Sequence, residues 1–346
     1  MSQRIQMNRR GFTLIELMLA MTMLSIVVIL TLDSLTRQQK SSIVTEQIVE
    51  AQQNVRAVSS LIAREIRMAG FMVPNAVGVC GVDSTTAPDQ IFVSETEPIV
   101  PDDERAGTLG ARLAATQGWT ATWTVGSPAT LTLNLDSSTT DLDGDGTYFY
   151  DNDGNGTGEA DFRVNGGFIL GDLANPHRGS VCGTVSAASS TQITVAILAG
   201  QLSALISSDA EEEIVLVPAA HYRVNAGFAT GRLERNQDLL AQGIDDLQIS
   251  YFFDVDDDGV VDSAAAEEPG TSGGATYSAA NWDNETLKEV RFSLVVRTRA
   301  TDLNFDGGSF IAFENRTPPV ASTDGFRRRV IVGGVRPRNI GNAGSI

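Results

Sequence analysis

Four short segments of the sequence place carboxylate or amide oxygens at every second position and end on a glycine. Side-chain oxygens at this spacing, with a glycine for the sharp turn, form the first half of an EF-hand-type Ca²⁺ loop. No segment has the glutamate that completes such a loop at its twelfth position, so we do not expect EF-hands. The segments are Asp141-x-Asp143-x-Asp145-Gly146, Asp151-x-Asp153-x-Asn155-Gly156, Asp254-x-Asp256-x-Asp258-Gly259 and Asp302-x-Asn304-x-Asp306-Gly307.

Two interpretations of these acidic segments stay open. Asp-Gly and Asn-Gly form turns between strands, and such turns need no metal. Clustered carboxylates repel one another in the absence of a cation, however, which favours weak, structural Ca²⁺ sites that fix the loops. The first two segments start ten residues apart, so each could complete the other. Asp161 could also contribute to the second segment, and Asp262 or Glu267 could complete the third. We therefore expect Ca²⁺ ligands in the first pair and in the segment from Asp254 to Asp262.

A single carboxylate, Glu16, lies inside an apolar segment of 19 residues from Leu14 to Leu32. A helix of that length is about 28 Å long, which is enough to span the core of a bilayer. A carboxylate there is costly to bury alone, so a functional role is its default interpretation. A cleaved signal peptide is disfavoured because no small-residue cleavage site follows, and an ordinary anchor leaves Glu16 unexplained.

The sequence shows no catalytic pattern. Its two histidines, His177 and His221, are far apart, and it has no HExxH, phosphate-binding glycine loop or GxSxG motif. We therefore do not expect an enzyme. The formal net charge of −18 also disfavours binding to nucleic acid. In such an acidic chain, the basic run Arg327–Arg329 is expected to form salt bridges within the protein or with a partner.

The chain has two cysteines, Cys80 and Cys182. In a protein exported from the cytoplasm, a single pair is typical of one disulfide. Closing a loop of about one hundred residues stabilises a fold by about 4 kcal/mol in the chain-entropy model. Two unrelated buried thiols are the alternative.

A long helix must position the N-terminal residues. Apolar residues recur at spacings of three, four and seven as far as Ile66, and no proline occurs before Pro74. The pattern predicts one helix over 12–68 with a transmembrane part at about 14–32.

A β-rich head must position the cysteines and the acidic segments. Beyond the helix, short runs alternate apolar and polar residues, as half-buried antiparallel strands do. We expect an α+β fold with one head over 69–346, and an insertion at about 83–190 stays open. The alternating runs are 131–135, 192–198, 213–217, 247–253, 290–296 and 329–332.

The N-terminal motif resembles the processing site of type IV prepilins and of type II secretion pseudopilins. It reads Gly11-Phe12-Thr13-Leu14-Ile15-Glu16-Leu17, follows Arg9-Arg10 and precedes the apolar helix. The resemblance implies a type IV pilin-like fold and removal of residues 1–11 by a prepilin peptidase that cuts after Gly11. It further implies that Phe12 becomes the N-methylated first residue, and that Glu16 pairs with the terminal amine of a neighbouring subunit.

Five later segments carry a second pattern, in the order 64–71, 245–251, 290–297, 327–330 and 336–339. In this order they resemble the PilW family of minor pilins. The resemblance implies a role in type IV pilus assembly or initiation at the pilus tip, with twitching motility and adhesion as its outcomes. The implied partners are other minor pilins, the major pilin, the prepilin peptidase and the inner-membrane assembly platform.

The basic residues Arg9 and Arg10 predict a cytoplasmic N-terminus by the positive-inside rule. The expected location is the inner membrane, crossed once through the N-terminal helix, and then the pilus or the cell surface. Two alternatives stay open, namely a J-type minor pseudopilin of type II secretion and a Ca²⁺-dependent adhesive module at a pilus tip.

Overall fold

The computed structural model covers the long N-terminal helix and the strands of the head. The chain divides into two units, one up to Glu50 and one from Ala51 onward. The described residues are 13–71, 73, 75–94, 111–112, 120–122, 129–134, 149–150, 159–160, 162–172, 180–188, 192–197, 214–225, 227, 231–254, 258–259, 261, 284–302, 305, 307–309, 316, 321–322 and 324–340.

Helix α1 runs from Leu14 to Met68. Its 55 residues include no glycine or proline and are rich in leucine, methionine, alanine, glutamine and arginine, which favour helix. In the first unit its large apolar side chains are exposed, with Leu14 at 77% and Ile15 at 75%. By length and composition this helix could cross a membrane. Apolar side chains exposed in this number require lipid or neighbouring helices around them.

In the second unit, the last turns of α1 belong to the hydrophobic core. Val55, Val58, Ile62 and Ile66 recur at spacings of three or four and are all buried. They form one cluster with apolar side chains of the strands, Phe92 among them. Burial of each such side chain contributes about 1.5–3 kcal/mol, so this stripe is a major part of the core.

Strands make up most of the second unit. A short 3₁₀ turn, Asn75–Val77, precedes the first of them. The described strands are β1 (Val79–Val82), β2 (Gln90–Ser94), β3 (Ala111–Arg112), β4 (Thr120–Thr122), β5 (Ala129–Asn134), β6 (Phe149–Tyr150), β7 (Glu159–Ala160), β8 (Gly167–Asp172), β9 (Ser180–Ala188), β10 (Gln192–Ile197), β11 (Ile214–Asn225), β12 (Arg232–Arg235), β13 (Asp238–Gln242), β14 (Ile244–Phe253), β15 (Leu287–Arg297), β16 (Gly308–Ser309), β17 (Ala321–Ser322) and β18 (Arg328–Val335).

These strands form a large sheet and a small sheet, both antiparallel. Among the described residues, eleven strands form the large sheet. Eight of them follow the path β1-β2-β11-β8-β9-β10-β5-β4. Strands β3 and β12 also pair with β11, and β13 pairs with β12. The small sheet has the order β14-β15-β18, while β6–β7 and β16–β17 form separate pairs.

Strands β14 and β15 lie where the sequence predicts alternating strands, but they are not half-buried, because the alternate polar residues Gln248, Ser250 and Ser293 are buried as well. Leu247 lies opposite Leu294, and Ile249 lies opposite Phe292. All four side chains are buried in the cluster that contains the α1 stripe. Because alternate residues of a strand share one face, these pairs turn the inner face of the small sheet toward the core. The prediction of an α+β fold with a long N-terminal helix and an antiparallel head is confirmed.

A disulfide joins Cys80 on β1 to Cys182 on β9, as the single cysteine pair predicts. Strands β2, β11 and β8 lie between these two strands in the sheet order. In a flat sheet, four strand spacings would separate β1 from β9 by about 19 Å. The Cα atoms of Cys80 and Cys182 are only 6.2 Å apart. The large sheet therefore curves until its edge strand β1 comes close to β9.

Strands β8 and β9 fall in the range 83–190, where the sequence left an insertion open. Both lie in the middle of the large sheet, between β11 and β10. This part of the range is therefore built into the sheet and does not form a separate subdomain. The two strands are rich in glycine, serine and alanine, which give a weak strand pattern.

Asp89 connects the two sheets. Its N–H donates to the carbonyl of Leu247 at 2.8 Å, and its Oδ2 accepts the N–H of Ile249 at 2.8 Å. Its Oδ1 accepts the N–H of Ser84 at 2.9 Å. Asp89 therefore pairs with backbone N–H and carbonyl groups at the outer edge of β14, as a further strand would. Burial raises the pKa of this carboxyl to about 8, although both backbone hydrogen bonds act to lower it.

The C-terminal segment closes the end of α1. The N–H of Arg338 donates to the carbonyl of Arg67 at 3.1 Å. The side-chain amide of Asn339 donates to the carbonyl of Met68 at 3.2 Å. The last carbonyls of a helix have no partner within it, so residues distant in sequence supply partners here.

Gly70 should not tolerate a side chain. Its φ is +78°, and a Cβ would collide with Cγ2 of Ile340. Gly70→Ala should lower the free energy of unfolding by about 1–2 kcal/mol for the left-handed backbone and by about 1–3 kcal/mol for overpacking. Denaturant unfolding of the full chain in detergent measures this loss.

Gly259→Ala is the matched control, because Gly259 has a φ of +83° and a Cβ at this position would have no atom within 4 Å. Gly259→Ala should lower the free energy of unfolding only by the contribution of the left-handed backbone. Equal losses in the two variants would show that packing against Ile340 is not a constraint.

Asp89 should make stability depend on pH. The native carboxyl holds its proton up to about pH 8, whereas the unfolded chain releases it near 3.8. The native state therefore binds more protons across this window, and stability should fall as pH rises from about 4 to about 8. Asp89→Asn should remove this contribution, so that melting temperatures fall less across the window than those of the wild-type chain do.

The exposed Asp238→Asn is the control for Asp89→Asn and should leave the slope unchanged. Burial lowers the pKa of His221 to about 3, so this residue makes stability rise with pH in the wild-type chain and in the variant alike. The difference between the two chains therefore reports the contribution of Asp89. A wild-type slope that persists in Asp89→Asn would contradict the assignment.

Candidate functional site

Thr13 and Glu16 cap the N-terminus of α1. The N–H and the hydroxyl of Thr13 each donate to Oε2 of Glu16 at 2.9 Å. The N–H of Glu16 donates back to the Thr13 hydroxyl at 3.4 Å. This reciprocal arrangement is a capping box. Oε1 of Glu16 accepts no hydrogen bond from the described residues, so the carboxylate can take a further donor.

The role of Thr13 was not predicted from the sequence. The Thr-x-x-Glu pattern at 13–16 is the usual signature of a capping box and could have identified it. The cap fixes the carboxylate at the positive end of the helix dipole, which favours its charged form there. A carboxylate held in this way is placed to receive a cationic partner.

Many predicted site residues lie outside the described part of the chain, and the roles assigned to them stay predictions. These residues are the processing residues Gly11 and Phe12 and the calcium ligands Asp141, Asp143, Asp145, Asp151, Asp153, Asn155, Asp256 and Asp262.

Asp254 and Asp258 are the predicted calcium ligands that the structure describes. Oδ1 of Asp254 accepts the N–H of Asp258 at 3.1 Å, and Oδ2 accepts the N–H of Gly259 at 3.0 Å. The ammonium of Lys288 lies 3.5 Å from Oδ2. Within the described ranges, no group of three His, Cys, Asp or Glu side chains is arranged to hold a metal. The buried carboxylate of Asp254 is therefore occupied by the backbone of Asp258 and Gly259 and by Lys288.

Glu65 makes a polar contact between α1 and the large sheet. The hydroxyl of Tyr222 on β11 donates to Oε2 of Glu65 at 2.5 Å. Nε of Arg235 on β12 lies 3.2 Å from Oε1. Burial and the adjacent carboxylate raise the pKa of Tyr222, so its hydroxyl remains a donor. The contact fixes the rotation of the last turns of α1 against the sheet, and the sequence pattern gave no sign of it.

The arginine run at the start of β18 forms ion pairs within the head, as expected. Nε of Arg328 lies 2.6 Å from Oδ2 of Asp245, and its Nη2 lies 2.6 Å from Oδ2 of Asp324. Hydrogen bonding to Arg328 lowers the pKa of Asp324 to about 2. Arg329 is exposed. The run is therefore largely an internal ion-pair site and not an anion-binding patch.

Two family models match the chain. The model for the Prokaryotic N-terminal methylation motif matches residues 6–32. This range contains Gly11, Phe12 and Glu16. The model for Type IV Pilus-assembly protein W matches residues 209–339. This second range contains the small sheet and most of the segment that closes α1.

Among solved structures, the chain is similar to the Type IV-like pilin TTHA1219 from Thermus thermophilus. The two sequences are 10% identical, and the similarity covers 84% of this chain and 98% of that chain with a TM-score of 0.32. A likeness at this TM-score does not establish a shared fold. Curated proteins give no match.

The two family matches agree with the geometry at both ends of α1. The methylation motif coincides with the capped, exposed apolar start of the helix. The second match coincides with the strands and the C-terminal segment that hold its other end. Pilins are structural proteins, which agrees with the absence of a catalytic pattern in the sequence. Together these matches show that the chain is similar to type IV pilus minor pilins of the Type IV Pilus-assembly protein W family over residues 6–32 and 209–339.

Proposed function

We propose that this chain is a minor pilin that takes part in assembling or initiating a type IV pilus and occupies a position at the pilus tip. The observation that carries the proposal is the methylation motif at the start of an apolar helical segment, 14–32, whose side chains are exposed and which contains one carboxylate, Glu16. Such a surface requires lipid before assembly and neighbouring helices afterwards. The membrane supplies the lipid, and a filament of packed helices supplies the neighbouring helices.

Processing would prepare the N-terminus for that packing. A prepilin peptidase would remove the leader after Gly11, and Phe12 would become the N-methylated first residue. The new terminal amine of one subunit would then pair with Glu16 of the next. The oxygen of Glu16 that lies outside the capping box supports this role, because an amine can add a charge-assisted hydrogen bond there. A charge buried among apolar helices needs such a partner.

The surroundings of the chain follow from the same proposal. Arg9 and Arg10 favour a cytoplasmic N-terminus and one crossing of the inner membrane before assembly. The partners would be the assembly platform, the major pilin and other minor pilins. A head that spans 51–346 is large for the repeated subunit of a thin filament. Its size favours a low-copy position at the tip. From that position the chain would support twitching motility and adhesion.

Two substitutions of Glu16 separate its charge from its capping role. Glutamine at this position keeps a capping box, whereas alanine removes it. If pairing with an amine is the role of Glu16, both Glu16→Gln and Glu16→Ala should reduce incorporation of the chain into sheared pili by about tenfold or more. Immunoblots of pili against membrane fractions measure this ratio.

Asp238→Ala removes an exposed carboxylate outside α1 and should assemble normally. Wild-type incorporation of Glu16→Gln, together with loss in Glu16→Ala, would assign Glu16 to capping alone. That result would contradict the proposed pairing.

We further propose that the acidic loops hold structural Ca²⁺. The support is the spacing of their oxygens and the repulsion among their carboxylates. With a dissociation constant near 1 mM, 10 mM Ca²⁺ would stabilise the head by about 1.4 kcal/mol. A rise in melting temperature with Ca²⁺ but not with Mg²⁺ is expected, and Asp141→Asn/Asp143→Asn/Asp145→Asn should reduce it. The same response in this variant and in the wild-type chain would exclude that loop as a site.

A further inference from the structure

The face of α1 that turns away from the sheets is basic. Between Ala51 and Met68 the side chains of Arg56, Arg64 and Arg67 are exposed. The one acidic residue in this stretch, Glu65, is directed to its contact with the large sheet. We call the three exposed arginines the basic face of α1. It stands out because the chain as a whole carries a formal charge of −18.

Helical geometry puts the basic face on one side. At 100° per residue the three arginines fall within an arc of about 80°, roughly opposite the buried stripe that ends at Ile66. Ser60 is exposed on the same arc and is small. Small side chains between long ones let a second helix approach closely and pack its own side chains between the arginines.

Ion pairing within the described part of the chain does not explain this face. No ion pair links Arg56, Arg64 or Arg67 to another described residue, whereas Arg235 and Arg328 are paired within the head. Arg64 and Arg67 are i, i+3 neighbours, and like charges at that spacing repel. A surface of this kind is stabilised when carboxylates of another molecule approach it.

We propose that the basic face of α1 docks against an acidic N-terminal helix of a neighbouring pilin subunit. This inference rests on the proposed function and names the surface through which the head contacts the next subunit. From Arg56 to Arg67 the face is about 17 Å long and narrow, which fits a rod-like partner better than a single small anion. This chain shows the required chemistry itself, because Glu46 and Glu50 are exposed on α1 at i, i+4 spacing.

Arginine suits such an interface. Its planar guanidinium binds a carboxylate through two parallel hydrogen bonds, which fixes the relative position of the two helices. Three arginines over three turns would set both the register and the rotation of the partner helix. The contact would also weaken at high ionic strength, since exposed charge pairs are screened.

Site-specific photo-crosslinking in cells that assemble pili tests the proposal. A photoreactive residue replaces Ser60 in the full chain, and the linked peptide is identified by mass spectrometry. We expect a peptide from a pilin N-terminal helix that carries carboxylates at helical spacing. Arg56→Glu/Arg64→Glu should lower the yield of this product by about tenfold or more, because like charges would then face each other.

The variant is chosen to leave the fold intact. Arginine and glutamate have similar helix propensities, and both positions are exposed. Arg67 is left unchanged because glutamate in the last turn opposes the helix dipole. Arg299→Glu/Arg329→Glu is the matched control, since it changes two exposed arginines of the head by the same total charge. It should leave the yield unchanged.

Three results would overturn the proposal. They are a Ser60 product with lipid, a product with a peptide that lacks carboxylates, and a yield that Arg56→Glu/Arg64→Glu does not lower. A second photoreactive position, Val27 in the apolar segment, separates this inference from the proposed function. Pilin products at Val27 without a carboxylate-bearing product at Ser60 would overturn the docking surface alone. No pilin product at either position would overturn both.

Discussion

The packing of one apolar stripe of α1 against the two sheets is the contact on which the head depends. Val55, Val58, Ile62 and Ile66 are buried in one apolar cluster with side chains of both sheets. An antiparallel sheet with an apolar face needs a cover, and here the cover is the end of the helix that also carries the methylation motif. Folding of the head and presentation of the N-terminus are therefore properties of one helix.

Polar contacts fix the geometry of that packing. Glu65 sets the rotation of the helix, Asp89 joins the edge of the small sheet to the large one, and the C-terminal segment holds the last turn. Glu65 and Asp89 place carboxyl groups where solvation is poor, so these two contacts add more to specificity than to net stability. The disulfide acts on the same core, because it holds β1 close to β9 in the curved sheet.

The parts of the fold that sequence reasoning predicted are those that local pattern determines. The helix follows from unbroken periodicity without glycine or proline, and β14 and β15 follow from strict alternation over long runs. The central strands β8 and β9 were not recognised, because their small residues give weak alternation and their place in the sheet depends on distant partners. Asp89 and Glu65 were missed for a related reason, since each acts through residues more than 150 positions away. The capping box was accessible from its spacing alone. The acidic loops lie mostly outside the described residues, and their role stays a prediction.

The decisive measurement is made on a strain with a clean deletion of the coding region, complemented by the wild-type chain. Surface pili and twitching are scored, and secretion of a type II substrate is assayed in parallel. For a minor pilin we expect loss of pili and of twitching with secretion intact, and recovery on complementation. Lost secretion with normal pili would contradict this role and would assign the chain to the pseudopilins. Normal pili and normal secretion together would also contradict a role in assembly.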